Sequence, residues 1–173
     1  LPLLRESGTR VVVQGSLVSA VRGVRWDDLQ SARRYSALSA YGSSKTALGL
    51  FALELARREG LPVALSHPGI VPATAIAPGV RARVWPGVRE YFVARIGNRP
   101  AAAAEPALAA LAALDEPGAG LVSFGPAGWL QMAGRARVRG PFRRLVDTAE
   151  AARVWDLAHE LLGAGPDGAD ARG

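Results

Sequence analysis

The 173-residue chain contains no cysteine. A disulfide framework is therefore excluded, and two isolated histidines, His67 and His159, cannot assemble a Cys/His metal site, so no metal centre is expected. No segment reaches the roughly 18 uninterrupted apolar residues of a membrane span. The opening LPLLRESGTR lacks the basic start and long apolar run of a secretory leader. The expectation is a cytoplasmic protein with no membrane partner. Asparagine occurs once, at Asn98, and lysine once, at Lys45, although the chain carries 21 basic residues. A sequence that uses arginine for nearly every cation marks Lys45 as a place where a compact ammonium fits and a forked guanidinium does not.

The apolar content, 49%, is enough for one domain with a real core and too little for two large ones. The net charge of +6 is unevenly placed, with Arg135, Arg137, Arg139, Arg143 and Arg144 crowded into RARVRGPFRR. That segment reads either as an anion-binding arm or as a solvated loop. It has neither a nucleic-acid-binding fold motif nor interleaved aromatics, which argues against nucleic acid as the partner.

Along the chain, TRVVVQGS (9–16) is a short β-branched run closed by Gly15, as in a buried parallel strand. The polar VRGVRWDDLQSARRYS has no sustained period and reads as a loop with about one helical turn. A helix follows over 39–58, with Ser39 as N-cap and Gly60 as its stop. Its middle, TALGLFALELA, is apolar on nearly every face, so the 39–58 helix is a candidate surface for a second copy of the chain. LPVALSHPG (61–69) repeats the pattern of strand and Gly/Pro break, for which a right-handed βαβ unit is the default. Residues 70–100 mix prolines, arginines and aromatics and suggest an irregular excursion that covers a ligand site. An alanine-rich helix at 101–115, a strand in GLVSFG (120–125) and an amphipathic helix at 148–162 follow. The buried face of the last helix is expected from Val154, Trp155, Leu157, Ala158 and Leu161. Residues 164–173 read as a disordered tail.

On a helix, Tyr41 and Lys45 of YGSSK lie four apart on one face, in a stripe that continues through Leu48 and Ala52. An ammonium about 4 Å from a phenol favours the phenolate by ~4 kcal/mol at an effective dielectric of about 20, enough to make a tyrosine a proton donor and acceptor. Ser16 ends the first strand, where open α/β sheets bind ligands, and His67-Pro68-Gly69 ends the second on the same edge.

Strand-GS, a helix with Tyr-x-x-x-Lys and a strand ending in PG together resemble the catalytic half of the short-chain dehydrogenase/reductase family. The spacer VRGVRWDDLQSARRYSALSAYGSSK, with Ser16 and Tyr41 25 residues apart, is similar to the retinol-dehydrogenase-like branch. So is the run from LPVALSHPGIV to AARVWDLAHELLG. The resemblance implies an α/β fold, the C-terminal part of a Rossmann-type doubly wound parallel sheet of about three strands with flanking helices. It implies that 1–163 is the catalytic portion of such a domain.

The activity implied is NAD- or NADP-dependent hydride transfer between an alcohol and a ketone or aldehyde on a hydrophobic small molecule. Ser16 would hydrogen-bond the substrate oxygen, a role for which Ser19 falls past the strand end. Tyr41 would exchange the proton. Lys45 would hold the nicotinamide ribose and favour the phenolate. Pro68, Gly69 and the backbone of Val71 would line the nicotinamide, with Thr74 as a hydroxyl contact. The family's N-terminal glycine-rich turn, TGxxxGxG, does not occur, and Asn98 is out of place for the family's relay asparagine. The alternative is therefore a truncated, inactive remnant acting as an interaction module. Serine-hydrolase, P-loop and penicillin-binding readings fail on motif: there is no G-x-S-x-G and no G-x-x-x-x-G-K, and Gly42 spoils S-x-x-K.

Overall fold

In the computed structural model of the chain, residues 2–71, 100–113 and 121–163 are described. Thr74, Asn98, most of the 70–100 excursion and the 164–173 tail lie outside them. The elements run α1 (Pro2–Glu6), β1 (Val11–Gln14), α2 (Ala37–Glu59), β2 (Val63–Ser66), α3 (Pro100–Ala113), β3 (Val122–Pro126), β4 (Ala136–Arg139) and α4 (Thr148–Leu161), with short 3-10 turns between some of them. The fold is α/β. One sheet in the order β1-β2-β3-β4 has its first three strands parallel and β4 antiparallel.

The period-2 alternation of a strand decides which side chain faces which layer. Val11, Val13, Val63 and Leu65 point to the face covered by α2 and α4. Val12, Ala64, Val122 and Phe124 point to the face where Ala109 and Ala110 of α3 pack. Helices therefore cover both faces, which is why β2 is buried at every residue and reads as an uninterrupted apolar run.

Three sequence expectations need correction. The long helix starts after Ser36, not Ser39, and Ser36 makes no side-chain cap hydrogen bond; Gly60 does end it, in the left-handed conformation. The sheet has four described strands, because part of the basic segment pairs as β4. The ARVR alternation suits an edge, where charged side chains deter further pairing. Arg139 turns back to donate from Nη2 to the carbonyls of Pro126 and Ala127, at 3.2 and 2.6 Å. On α4, Leu161 is exposed, while Ala151 and His159 are buried with Val154 and Trp155.

The apolar faces of α2 are met within the chain by α4 and by the 3-10 turn Arg143–Val146. Trp155 stacks on Phe51 with ring centroids 5.0 Å apart, and the Arg58 guanidinium lies over the Trp155 ring at 5.4 Å from its centroid. Glu54 is buried on the same helix and takes the guanidinium of Arg57 at 2.5 Å. Asp147 caps α4 by accepting the N–H groups of Ala149 and Glu150. No helix among the described residues is long and apolar enough to cross a membrane. Replacing Trp155 by Ala should destabilise the fold by about 3–5 kcal/mol. A denaturant midpoint little changed from wild type would show that α4 does not anchor α2.

Candidate functional site

The parallel strands β1, β2 and β3 bring Gln14-Gly15-Ser16, Ser66-His67-Pro68-Gly69 and Gly125-Pro126 to one edge of the sheet. Ser16 leaves β1 and caps a 3-10 turn over Leu17–Ala20, its Oγ accepting the Val18 N–H at 3.4 Å. Because a hydroxyl also carries a donor, Ser16 retains its O–H for a further partner. Ser19 is fully buried inside the turn, with no partner for its Oγ among the described residues.

The helix α2 approaches this turn closely, and YGSSK shows how. A Cβ at Gly42 would stand 2.7 Å from Cβ of Arg22 and 3.1 Å from Cγ2 of Val18, so only glycine lets the helix lie on the turn. The neighbouring hydroxyls fasten it. Ser43 Oγ accepts the Arg25 N–H at 2.9 Å, and Thr46 Oγ1 donates to the Arg22 carbonyl at 2.7 Å. Ser44 is exposed and donates to the carbonyl of Tyr41. Lys45 reaches the end of β1, its Nζ 2.9 Å from the Gln14 carbonyl. The ammonium thus sits two residues before Ser16 and one helical turn from Tyr41, whose side chain is half-buried.

The loop between the turn and α2 is held by Asp28. Its carboxylate accepts the N–H groups of Ala32, Arg33 and Arg34 at 2.8, 3.2 and 3.0 Å, and the Arg25 guanidinium at 3.1 Å. The Arg34 N–H is the main cause holding the carboxyl below its ordinary range; the Arg33 and Ala32 N–H groups and Arg25 add to this, while burial opposes it. Trp26 ties the same loop to α4 through Glu150, at 3.2 Å, with Arg153 over its ring.

At the end of β2 the Pro68-Gly69 turn is held in part by bonds of two successive N–H groups. The Gly69 N–H donates to Nδ1 of His67 at 3.0 Å, and the Ile70 N–H donates to the Met132 carbonyl at 2.8 Å. Gly69 has φ +78°, and a Cβ there would run into the Met132 carbonyl, so glycine is required on both counts. Burial pushes the His67 imidazole below its ordinary value, partly offset by Gln131 beside it.

The structure therefore brings Ser16, Lys45, Pro68 and Gly69 to one sheet edge, with Tyr41 one helical turn from Lys45. Val71 follows the turn, and Thr74 lies outside the described residues. Residue-type reasoning missed Gly42, Ser43, Thr46 and Asp28, which set the geometry, and His67, read only as part of a strand-end break. The signals for them were the small residues inside YGSSK and the acidic pair in WDDL.

No family model matches the chain. Retinol dehydrogenase 12 of Mus musculus is 41% identical over 75 residues, covering 41% of this chain and 24% of that protein. Polyprenol dehydrogenase of Mus musculus is 43% identical over 81 residues, with the same coverages. Over about two fifths of its length the chain is thus similar to parts of two dehydrogenases, in keeping with the short-chain dehydrogenase/reductase resemblance. The crystal structure of an uncharacterized protein from Mycobacterium paratuberculosis superposes with a TM-score of 0.59 at 29% identity, covering 90% of this chain and 51% of that one. This dehydrogenase-like chain thus matches about a quarter of the length of the curated relatives.

Asp28 has a depressed folded-state value, so its contribution to stability is present above about 3.8 and is lost as pH falls through the lower folded value. Asp28→Asn should lower the denaturant midpoint at pH 7 and lose less of its remaining stability on acidification than wild type does. Parallel acid limbs for the two proteins would show that the carboxylate does not organise the loop.

Proposed function

We propose that the chain carries the proton-transfer end of an NAD(P)-dependent oxidoreductase that interconverts an alcohol and a ketone or aldehyde on a hydrophobic small molecule. The observation that carries this reading is the 2.9 Å bond from Lys45 Nζ to the Gln14 carbonyl, which fixes a cation at the strand edge one turn from Tyr41. The two curated relatives are named for retinol and polyprenol, both apolar alcohols, which supports the substrate class.

The residues present fit the nicotinamide-ribose end of such a cofactor. An ammonium has three donors, and the Gln14 carbonyl uses one, leaving others for ribose hydroxyls. Gly69 offers a face without a side chain, although its N–H is engaged by His67 and does not serve as a donor. Bound NAD(P) would supply the hydride acceptor or donor. Ser16 O–H would donate to the substrate oxygen and orient it. Tyr41 would take the alcohol proton in oxidation and return it in reduction, with the Lys45 ammonium stabilising negative charge on the phenol oxygen.

Titration of the purified chain with NADH and NADPH should give binding in the micromolar range; silence with both would remove the enzymatic reading for this chain by itself. In any active form, Tyr41→Phe should lower turnover by about 10²–10⁴-fold and leave the unfolding midpoint close to wild type. Retained turnover would refute the assignment of Tyr41.

A second reading, an interaction module without catalysis, is favoured by one specific observation. Among the described residues β1 is the outermost parallel strand, with Val11–Val13 only half-buried and Gln14 exposed. The N–H groups of Val11 and Gly15 donate to β2, so those of Val12 and Gln14 face the open side. Val12→Pro removes one outward donor at a position an edge strand tolerates. If β1 is a docking edge, light scattering should show concentration-dependent association of the wild type that Val12→Pro weakens. A monomer at all concentrations, together with NADH binding, would retire this reading.

A further inference from the structure

The Pro68-Gly69 turn has the residue pattern of a type II turn, with proline second and a positive-φ glycine third. Such a turn is usually closed by a bond from its fourth N–H to its first carbonyl, yet here the Ile70 N–H donates to Met132 instead. A local tie of the turn is the Gly69 N–H to Nδ1 of His67. An imidazole nitrogen that accepts is unprotonated, so the neutral ring carries its proton on Nε2.

The surroundings of the ring are built to keep it there. His67 is 4% exposed, its backbone N–H donates to the Phe124 carbonyl, and the Phe142 ring lies 5.8 Å away. On the opposite strand, a Cβ at Gly125 would stand 2.7 Å from Cδ2 and 2.9 Å from Nε2, so a glycine in β3 makes room for the imidazole. Nε2 is buried beside the Gln131 side chain, without a bond of good geometry among the described residues. What the imidazole supplies on its other nitrogen is an acceptor aimed at Gly69.

We propose that His67 is a positioning residue: through Nδ1 it holds the Pro68-Gly69 turn in the conformation that meets the dinucleotide, an inference that rests on the NAD(P) reading above. Asparagine would keep an acceptor two residues before the glycine, since an Asn side chain closes the same i to i+2 bond in an Asx-turn. Leucine would keep apolar bulk and lose the acceptor.

The test uses the full chain and three readouts. The imidazole ¹⁵N shifts of the wild type should place the His67 proton on Nε2; a ring protonated on Nδ1 overturns the proposal. In His67→Leu the Gly69 amide should exchange about tenfold faster or more, and NADH should bind about tenfold more weakly. In His67→Asn both should stay within about threefold of wild type. Equal losses in the two variants would mean that His67 acts by packing, and the proposal falls. If the wild type binds no NADH, the dinucleotide reading fails, and the Gly69 amide alone decides whether His67 sets the turn. Should His67→Leu not fold, Gly125→Ala presses on the His67 ring without substituting any of residues 67–70. Its Gly69 amide should also exchange faster, and an unchanged rate would overturn the proposal.

Discussion

The close approach of α2 to the turn that leaves β1 is the constraint on which the site depends. At Gly42 the helix and the turn are separated by less than a methyl group would need, and the hydroxyls of Ser43 and Thr46 bond the turn on the same side. Once that side of α2 is committed to the turn, the four-residue periodicity leaves Tyr41 and Lys45 on an adjoining stripe. The lysine then reaches the Gln14 carbonyl. Ser16, which begins the turn, and Lys45, which ends at β1, are thereby tied to the same rigid junction. A catalytic constellation gains from being mounted on a strand end and a helix instead of a free loop, because small displacements of the reacting groups are expensive in rate.

The parts of this arrangement differ in how readily the sequence discloses them. The strand cores VVVQ, VALS and VSF are β-branched or apolar runs bounded by glycine and proline, and they were legible as strands. The parallel α/β layering followed from their alternation with helical segments. The start of α2 was less legible because Ser36 and Ser39 are both residues of the N-cap type. The choice falls on Ser36, whose extended backbone precedes the helix without any side-chain bond to mark it. The strand at 136–139 was hidden by its arginines. Its pairing with β3 is a long-range fact, and charge on an edge strand looks locally like charge on a loop.

At the site itself, the residues proposed to touch a substrate or cofactor stand out in the sequence because their chemistry is unusual for their surroundings: a lone lysine, a tyrosine one turn away, a serine at a strand end. The residues that set their geometry do not. Gly42 and Gly125 matter for what they leave out, and only the neighbours brought by folding, Arg22 and Val18 for one and His67 for the other, show the need. Asp28 is similar. As a member of an acidic pair it could be any solvated carboxylate, yet three successive N–H groups converge on it. Asp27 next to it is exposed.

The bias of the chain toward arginine can now be given a physical reason at its single exception. Gln14 is an outward-facing residue of β1, so its carbonyl is not used by the pairing with β2 and needs a donor from elsewhere. A guanidinium would bring a planar fork with five donors to that one acceptor and extend beyond it, covering the strand edge where Ser16 begins its turn. An ammonium satisfies the carbonyl with one proton and remains compact, with its charge beside the strand end. The same atom therefore completes the fold at the edge of the sheet and, on the proposed function, would supply the cation beside Tyr41. Substitution at position 45 would disturb both together. In this chain the requirement for shape, more than the requirement for charge, accounts for lysine at that position.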